Sequence, residues 1–333
     1  MIALMANPKK NLPKKGIQSR NLEPVKVAIV GVGNVGASTA YGLLLSGLAA
    51  EIVLIDVNKK KAEGEAMDLS HAAPFSHQTH IWAGDYTDCA GASIVIITAG
   101  INQQPGQTRM DLVKANVSVF RELIPQIASH APDTILVVAT NPVDVLTYAA
   151  WKLSGFPLHR VLGSGTTLDT ARFRFELGNY FKIDPQSVHA DIIGEHGDTE
   201  LPVWSLASIS GMHLRAYCRQ ASREYDENAM NQCFLATKNA AYDIIQRKGW
   251  TDKGVATALV RIVETILRDE DTILTVSTPR DYPGTGVTAF SVPSKITRDG
   301  VFQTFDLLLN PEEEAKLRES AKSISAVIGS LSL

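Results

Sequence analysis

An α/β fold, built on a doubly wound parallel sheet and continued by an α+β region, is what this sequence predicts, on three observations. Runs that are apolar nearly throughout, VKVAIV, EIVLID, SIVIIT and TILVVA, punctuate the stretch from Val25 to Ala139, as strands covered on both faces must read. Helix-like stretches such as 34–48 and 111–130 are interleaved with them, which implies parallel strands joined by crossover helices. After about residue 163 the rhythm changes to longer helical segments, 168–181, 219–247 and 255–268, with β-like runs at 187–193, 272–276 and 286–292.

With 333 residues, 45% of them hydrophobic, the chain can bury a substantial core. A formal charge of -3 argues against a broad nucleic-acid footprint, which needs clustered cations to displace phosphate counterions. The three scattered cysteines, Cys89, Cys218 and Cys233, fit reduced thiols in a cytoplasmic protein and predict no disulfide. Apolar runs fall short of the roughly 18 residues a membrane-spanning helix needs, so no membrane partner is expected. Residues 1–24 carry Lys9, Lys10, Lys14, Lys15 and Arg20 against Glu23, with three prolines and no amphipathic period. They read as a disordered or loosely docked basic arm rather than a transit peptide, which would favour Arg, Ser and helical amphipathicity. The expected organisation is this arm, a dinucleotide-binding domain over 25–163 and an α+β domain over 164–333.

Taken in order, the first strand runs into VAIVGVGNVGAS, which sets Gly31, Gly33 and Gly36 in G-x-G-x-x-G spacing at the start of a helix. Glycines there permit a tight turn and close approach to a pyrophosphate, whose charge the helix N-terminus stabilises. Asp56 ends the next strand, 20 residues (56 minus 36) after Gly36, where a carboxylate can accept bonds from ribose hydroxyls and repel a 2′-phosphate. The pattern is that of a Rossmann domain and favours NAD over NADP. Thr98 and Gly100, and then Asn141 in TNPVD, fall at carboxyl ends of strands, the edge where open α/β sheets bind ligands.

Beyond Gly100, INQQPGQTRMDL is a polar stretch suited to closing as a lid and carrying Arg109 inward. Asp169 and Arg172 stand three apart on an expected helix and so share a face. Either they form an ordinary ion pair, or Arg172 offers a planar fork to a substrate carboxylate while Asp169 orients a histidine. His196, in DIIGEHGDTELP, sits in a Gly-flanked bend with Glu195, Asp198 and Glu200 close by. An imidazole titrating near neutrality and steadied by a carboxylate suits proton exchange with a reacting oxygen. His71, His77 and His80 lack a thiol or carboxylate partner at ligand-like spacing, and no metal is expected. The chain closes on a helix capped by Asn310, with Pro311 and Glu312 to Glu314 in its first turn and an apolar stripe of Leu317, Ala321, Ile324, Ile328 and Leu331.

GVGNVG, LID, NQQPGQTR, ATNPVD, GSGTTLDTARFR and IIGEHGDTELPVW, in that order, resemble the lactate/malate dehydrogenase family, and within it the bacterial L-lactate dehydrogenases. The resemblance runs from about Val25 to the C-terminus. It implies that His196 is the proton donor and acceptor, Asp169 its buried partner, Arg109 the mobile residue that polarises the substrate carbonyl and Arg172 the carboxylate anchor. Asn141 matches a position that contacts substrate and cofactor, Thr251 one that lines the pocket around the substrate methyl, and Val35, Lys61 and Ser164 further cofactor contacts. Gln103 stands where malate dehydrogenases of the group carry an arginine; without that cation a second substrate carboxylate would be buried unpaired, so a monocarboxylate such as pyruvate is implied. The resemblance further implies a homotetramer and a fructose 1,6-bisphosphate site at Arg174 and His189. Three features depart from the family pattern: Asp191 beside His189, Trp250 before Thr251, and the basic arm.

Overall fold

In chain order the first half runs β1 (Lys26–Val30), α1 (Asn34–Ser46), β2 (Glu51–Ile55), α2 (Lys59–Ala72), β3 (His80–Ala83), β4 (Ile94–Ile97), α3 (Arg109–His130), β5 (Ile135–Val138), α4 (Val143–Ser154) and β6 (Val161–Gly163). The computed structural model describes residues 24–101, 106, 108–331 and 333. The basic arm up to Glu23, and Gln103 in the expected lid, lie outside the described residues. The six strands pair in parallel in the order β3-β2-β1-β4-β5-β6. Side chains alternate across the sheet: Ala28, Val30, Val53, Ile55, Val95 and Ile97 enter one buried cluster, and Val27, Ile29, Ile52, Leu54, Ile94 and Ile96 the other. Both faces are covered, which is why these strands read as continuous apolar runs. Strand order reverses between β1 and β4, opening a crevice at their carboxyl ends.

The second half contributes α5 (Thr167–Phe181), β7 (Val188–His189), β8 (Ile192–Ile193), β9 (Leu201–Pro202), β10 (Ser208–Ile209), β11 (Met212–His213), α6 (Leu214–Gln220), α7 (Glu227–Lys248), α8 (Lys253–Arg268), β12 (Thr272–Tyr282), β13 (Gly286–Thr297), β14 (Gly300–Thr304) and α9 (Pro311–Gly329). The helix expected over 219–247 is two helices. The chain turns between them, Ser222 taking a left-handed φ of 51° and Asp226 capping α7. The run expected at 187–193 is likewise two short strands in different small sheets.

The antiparallel β12, β13 and β14 do not form a sheet of their own. Ser277 of β12 bridges to Gly163 of β6, so one nine-stranded sheet continues across the expected domain boundary. Helices also cross it. From α8, Leu259, Ile262, Val263 and Ile266 bury with Leu43 and Leu44 of α1; from α9, Leu317, Ala321, Ile324 and Ile328 bury with Phe120 of α3 and Leu146 of α4. The closing helix thus covers the core of the first half as well as the second. All three cysteines are buried and free, and among the described residues no helix is long and apolar enough to cross a membrane.

Candidate active site

The glycine loop is shaped by what each position excludes. Gly31 has φ +96°, a conformation L side chains rarely adopt, and a Cβ there would lie 2.3 Å from the Ala99 backbone; one on Gly36 would lie 2.0 Å from the Gly31 carbonyl. A Cβ on Gly33 would meet nothing within 4 Å, and Gly33 caps α1 without a side-chain hydrogen bond. The open N-terminus of α1 therefore fits a pyrophosphate. Asp56 accepts the Val32 N–H at 2.6 Å and the Asn58 N–H at 2.8 Å, which holds the acid beside the loop. Val35 lies in the first turn of α1 and exposed Lys61 in that of α2.

Neighbouring loops are stitched together at the carboxyl edge. Thr98 donates to the Gly31 carbonyl at 2.5 Å, and Thr140 to the Ala99 carbonyl at 2.7 Å. Gly100 is pressed against Thr140, where a Cβ would come within 2.3 Å. Buried Asn116 of α3 accepts the Ile101 N–H at 2.7 Å and donates to the Asn141 carbonyl at 2.9 Å, tying the β4 and β5 loops to each other. Ser164 is buried just after β6.

His196 is held from three sides. Its Nδ1 lies 2.5 Å from Asp169 Oδ2, its backbone N–H donates to Asp144 Oδ2 at 2.7 Å, and the preceding Glu195 N–H donates to Ser320 Oγ of α9 at 2.8 Å. Asp144 in turn accepts Ser277 Oγ at 2.6 Å, so one carboxylate joins α4, β12 and the histidine loop. Arg172 donates to Asp169 Oδ1 at 3.1 Å: the ion pair and the histidine contact, posed as alternatives by the sequence, are both present. Arg109, 51% exposed at the first position of α3, reaches the same loop and pairs with Glu195, and with Asp198 at 2.9 Å. Glu195 and Asp198, close to His196 in sequence, thus bind Arg109, and the acid that grips the His196 ring comes from α5. Thr251 stands before Asp252, which accepts Ser38 Oγ of α1 at 3.1 Å; a Cβ on Gly254 would pack against Leu168, next to Asp169.

The electrostatics follow from this packing. Burial works against the charged form of His196, yet Asp169, with Asp144 and Glu200, raises its pKa to about 9. Burial likewise opposes charge on Asp169, but His196 and then Arg172 hold its carboxyl below the usual range. Burial pushes Asp144 up to about 6, against the hydrogen bonds from Ser277 and His196, and Glu200 up to about 8. Asp169, His196 and Glu200 offer ligand atoms within 4.8 Å of one another, but His196 and Arg172 already engage both Asp169 oxygens.

Arg174 points elsewhere on α5. Its Nε donates to the Ala190 carbonyl at 3.0 Å and its Nη2 to Asp191 Oδ1 at 2.7 Å, beside exposed His189. Asp144, Asn116 and Ser320 were not singled out from the sequence. Asp144 lies within the quoted TNPVD and an acid in a helix's first turn is a signal of sorts; Ser320, 125 residues from Glu195, has none.

Residues 25–163 match the NAD binding domain of lactate/malate dehydrogenase, and residues 166–331 match its alpha/beta C-terminal domain. The chain belongs to the lactate/malate dehydrogenase family and is an NAD-dependent dehydrogenase. It is 58% identical over 317 residues to a probable L-lactate dehydrogenase of Schizosaccharomyces pombe, covering 95% of this chain and 96% of that protein. It is 50% identical over 309 residues to the L-lactate dehydrogenase of Acetivibrio thermocellus, covering 92% and 98%. Among solved structures, a minor L-lactate dehydrogenase from Enterococcus mundtii superposes with a TM-score of 0.89 at 44% identity, covering 93% of this chain and 99% of that one. The resemblance read from bacterial motifs therefore extends to a fungal relative.

Proposed function

We propose that the protein is an L-lactate dehydrogenase that reduces pyruvate reversibly to L-lactate, with His196 as the proton donor and acceptor. The carrying observation is the Asp169 carboxylate, shared between the His196 ring and the Arg172 guanidinium. NAD, when bound along the open end of α1 and beside Asp56, with Gly31, Gly33, Val35, Gly36, Lys61, Thr98, Gly100, Asn141 and Ser164 as contacts, supplies or takes up the hydride. Asp169 occupies Nδ1 of His196, which leaves Nε2 to give its proton to the substrate oxygen and fixes the ring's orientation. Arg172 keeps donors free for a bidentate grip on the substrate carboxylate. Arg109 exchanges its Glu195 and Asp198 partners for the carbonyl oxygen, where its charge stabilises the developing alkoxide. Thr251 lines the pocket near the methyl group, and Gln103 leaves no cation to neutralise a second carboxylate.

Residues 25–163 carry the cofactor and 164–333 the proton-transfer and substrate groups. The working form is a homotetramer in the cytoplasm, with fructose 1,6-bisphosphate as an activator bound at Arg174 and His189. The test is NADH oxidation with pyruvate, oxaloacetate and 2-oxoisocaproate, each with and without the sugar bisphosphate. Pyruvate should be turned over fastest; preference for either other acid refutes the substrate assignment, and no change in pyruvate affinity or oligomer mass refutes activation.

A further inference from the structure

Among the described residues two buried side-chain oxygens have no hydrogen-bond partner, Glu200 Oε1 and Thr288 Oγ1, and only the first belongs to a group that can ionise. Glu200 is 8% exposed, and its carboxyl lies within 4.8 Å of Asp169 and His196. The charged groups that face it are Asp169, His196, Lys238 and Arg172; those that face His196 are Asp169, Asp144 and Glu200. An ionised carboxylate here would leave one oxygen dry and unpaired beside a second anion, and both effects favour keeping the proton.

We propose that Glu200 is a positioning residue for the proton transfer, a neutral carboxylic acid beside the Asp169–His196 pair through neutral pH whose ionisation at higher pH tightens the hold of His196 on its proton. The proposal rests on the reading of His196 as proton donor. Burial first, and then the Asp169 charge, raises the Glu200 carboxyl to about 8, and its ionised form is one of the charges that lift His196 to about 9. The two groups therefore titrate as a pair. While Glu200 is neutral, His196 answers to fewer anions and yields its proton more readily to the forming alkoxide. Once Glu200 ionises, the imidazolium survives to higher pH, so carbonyl reduction persists there and the reverse reaction, which needs the neutral ring, is held back.

The experiment compares the wild type with Glu200→Gln and Glu200→Leu, both uncharged but different in packing. In each variant the alkaline limb of kcat/KM for pyruvate reduction should move about half a pH unit or more below the wild-type limb, as expected when one nearby charge is lost in a partly buried site. A role in packing alone predicts a limb that stays in place for Gln, and that result overturns the proposal. Infrared titration gives a readout independent of turnover: a carboxylic C=O band of the wild type that Glu200→Gln lacks should persist at neutral pH and vanish in the mildly alkaline range. Absence of that band at neutral pH also overturns the proposal. A wild type that reduces none of the three 2-oxo acids with NADH overturns the reading of His196 as well, whereas an immobile limb in an active Gln variant overturns this inference alone.

Discussion

Asp169 divides one buried carboxylate between two partners, Oδ2 to His196 Nδ1 at 2.5 Å and Oδ1 to Arg172 Nη1 at 3.1 Å. The two groups proposed to hold opposite ends of one substrate are thereby referenced to the same atom set. An amide at this position can still accept from Arg172, but it carries no charge to stabilise the imidazolium and can present an N–H to Nδ1, which favours the wrong tautomer. Asp169→Asn is therefore expected to lower kcat by about 10²- to 10⁴-fold, the range that general acid–base catalysis supplies. NADH affinity, followed by fluorescence titration, should stay near the wild-type value; a kcat within a few-fold of the wild type would remove Asp169 from the proton-transfer machinery.

The raised proton affinity of His196 sets a pH profile. Burial alone would favour the neutral ring, and Asp169, with Asp144 and Glu200, reverses that, to about 9. Because kcat/KM reports the free enzyme, pyruvate reduction should hold level through neutral pH and fall as pH rises past about 9, while lactate oxidation rises over the same interval. Stability carries the same sign. The unfolded imidazole has its ordinary value of 6.5, so the stabilisation from this group is complete below that pH and is lost as pH rises through about 9. Urea midpoints of the wild type and His196→Asn should accordingly converge between those limits; parallel curves across the interval contradict the shift.

The histidine loop is fixed by two buried acceptors contributed from distant parts of the chain. Ser320 accepts the Glu195 N–H and Asp144 accepts the His196 N–H. Ser320→Ala strands one donor, the Glu195 N–H, and Asp144→Ala strands two, the His196 N–H and the Ser277 hydroxyl, at about 1–3 kcal/mol per group. Both variants should melt at lower temperature, and both should lose more in kcat than in NADH affinity, since the dinucleotide loop is untouched. Loss of stability with unchanged kcat would show that His196 keeps its place without them.

The central strands were legible because they are apolar on both faces; the edges were not. β3 reads His-Ile-Trp-Ala with an exposed first residue, and β6 is three residues long, too little to show a period. The α6–α7 break leaves no sequence signal because residues 221–226 lack glycine and proline, and the turn is made by a Ser in a left-handed conformation. At the site the fold brings His196, Asp169, Arg172 and Arg109 to one loop and its neighbouring helices, but which carboxylate holds which cation is not readable from the sequence. Glu195 and Asp198 flank the histidine in sequence yet bind Arg109, because consecutive residues of a bend point in different directions and α5 supplies the acid that meets the ring. The continuity of the sheet through Ser277 and Gly163 was equally invisible, since a single bridge leaves no pattern in either segment.

Asp191 bears on the proposed bisphosphate site in a way that can be measured. It holds Arg174 Nη2 at 2.7 Å, in a pair whose side chains are 37% and 31% exposed, and pairs that open to solvent contribute about 0.2–1 kcal/mol. A phosphate gripped bidentately by Arg174 competes with this carboxylate for Nη2 and lies beside its charge. Asp191→Asn removes both obstacles, so the concentration of fructose 1,6-bisphosphate giving half-maximal activation should fall by a few-fold, toward the tenfold that about 1.4 kcal/mol represents. By linkage, the same variant should assemble into tetramers at lower bisphosphate concentration. Arg174→Gln should abolish the response in both measurements. If Asp191→Asn leaves the activation curve where it was while Arg174→Gln still responds, the ligand does not bind at this arginine.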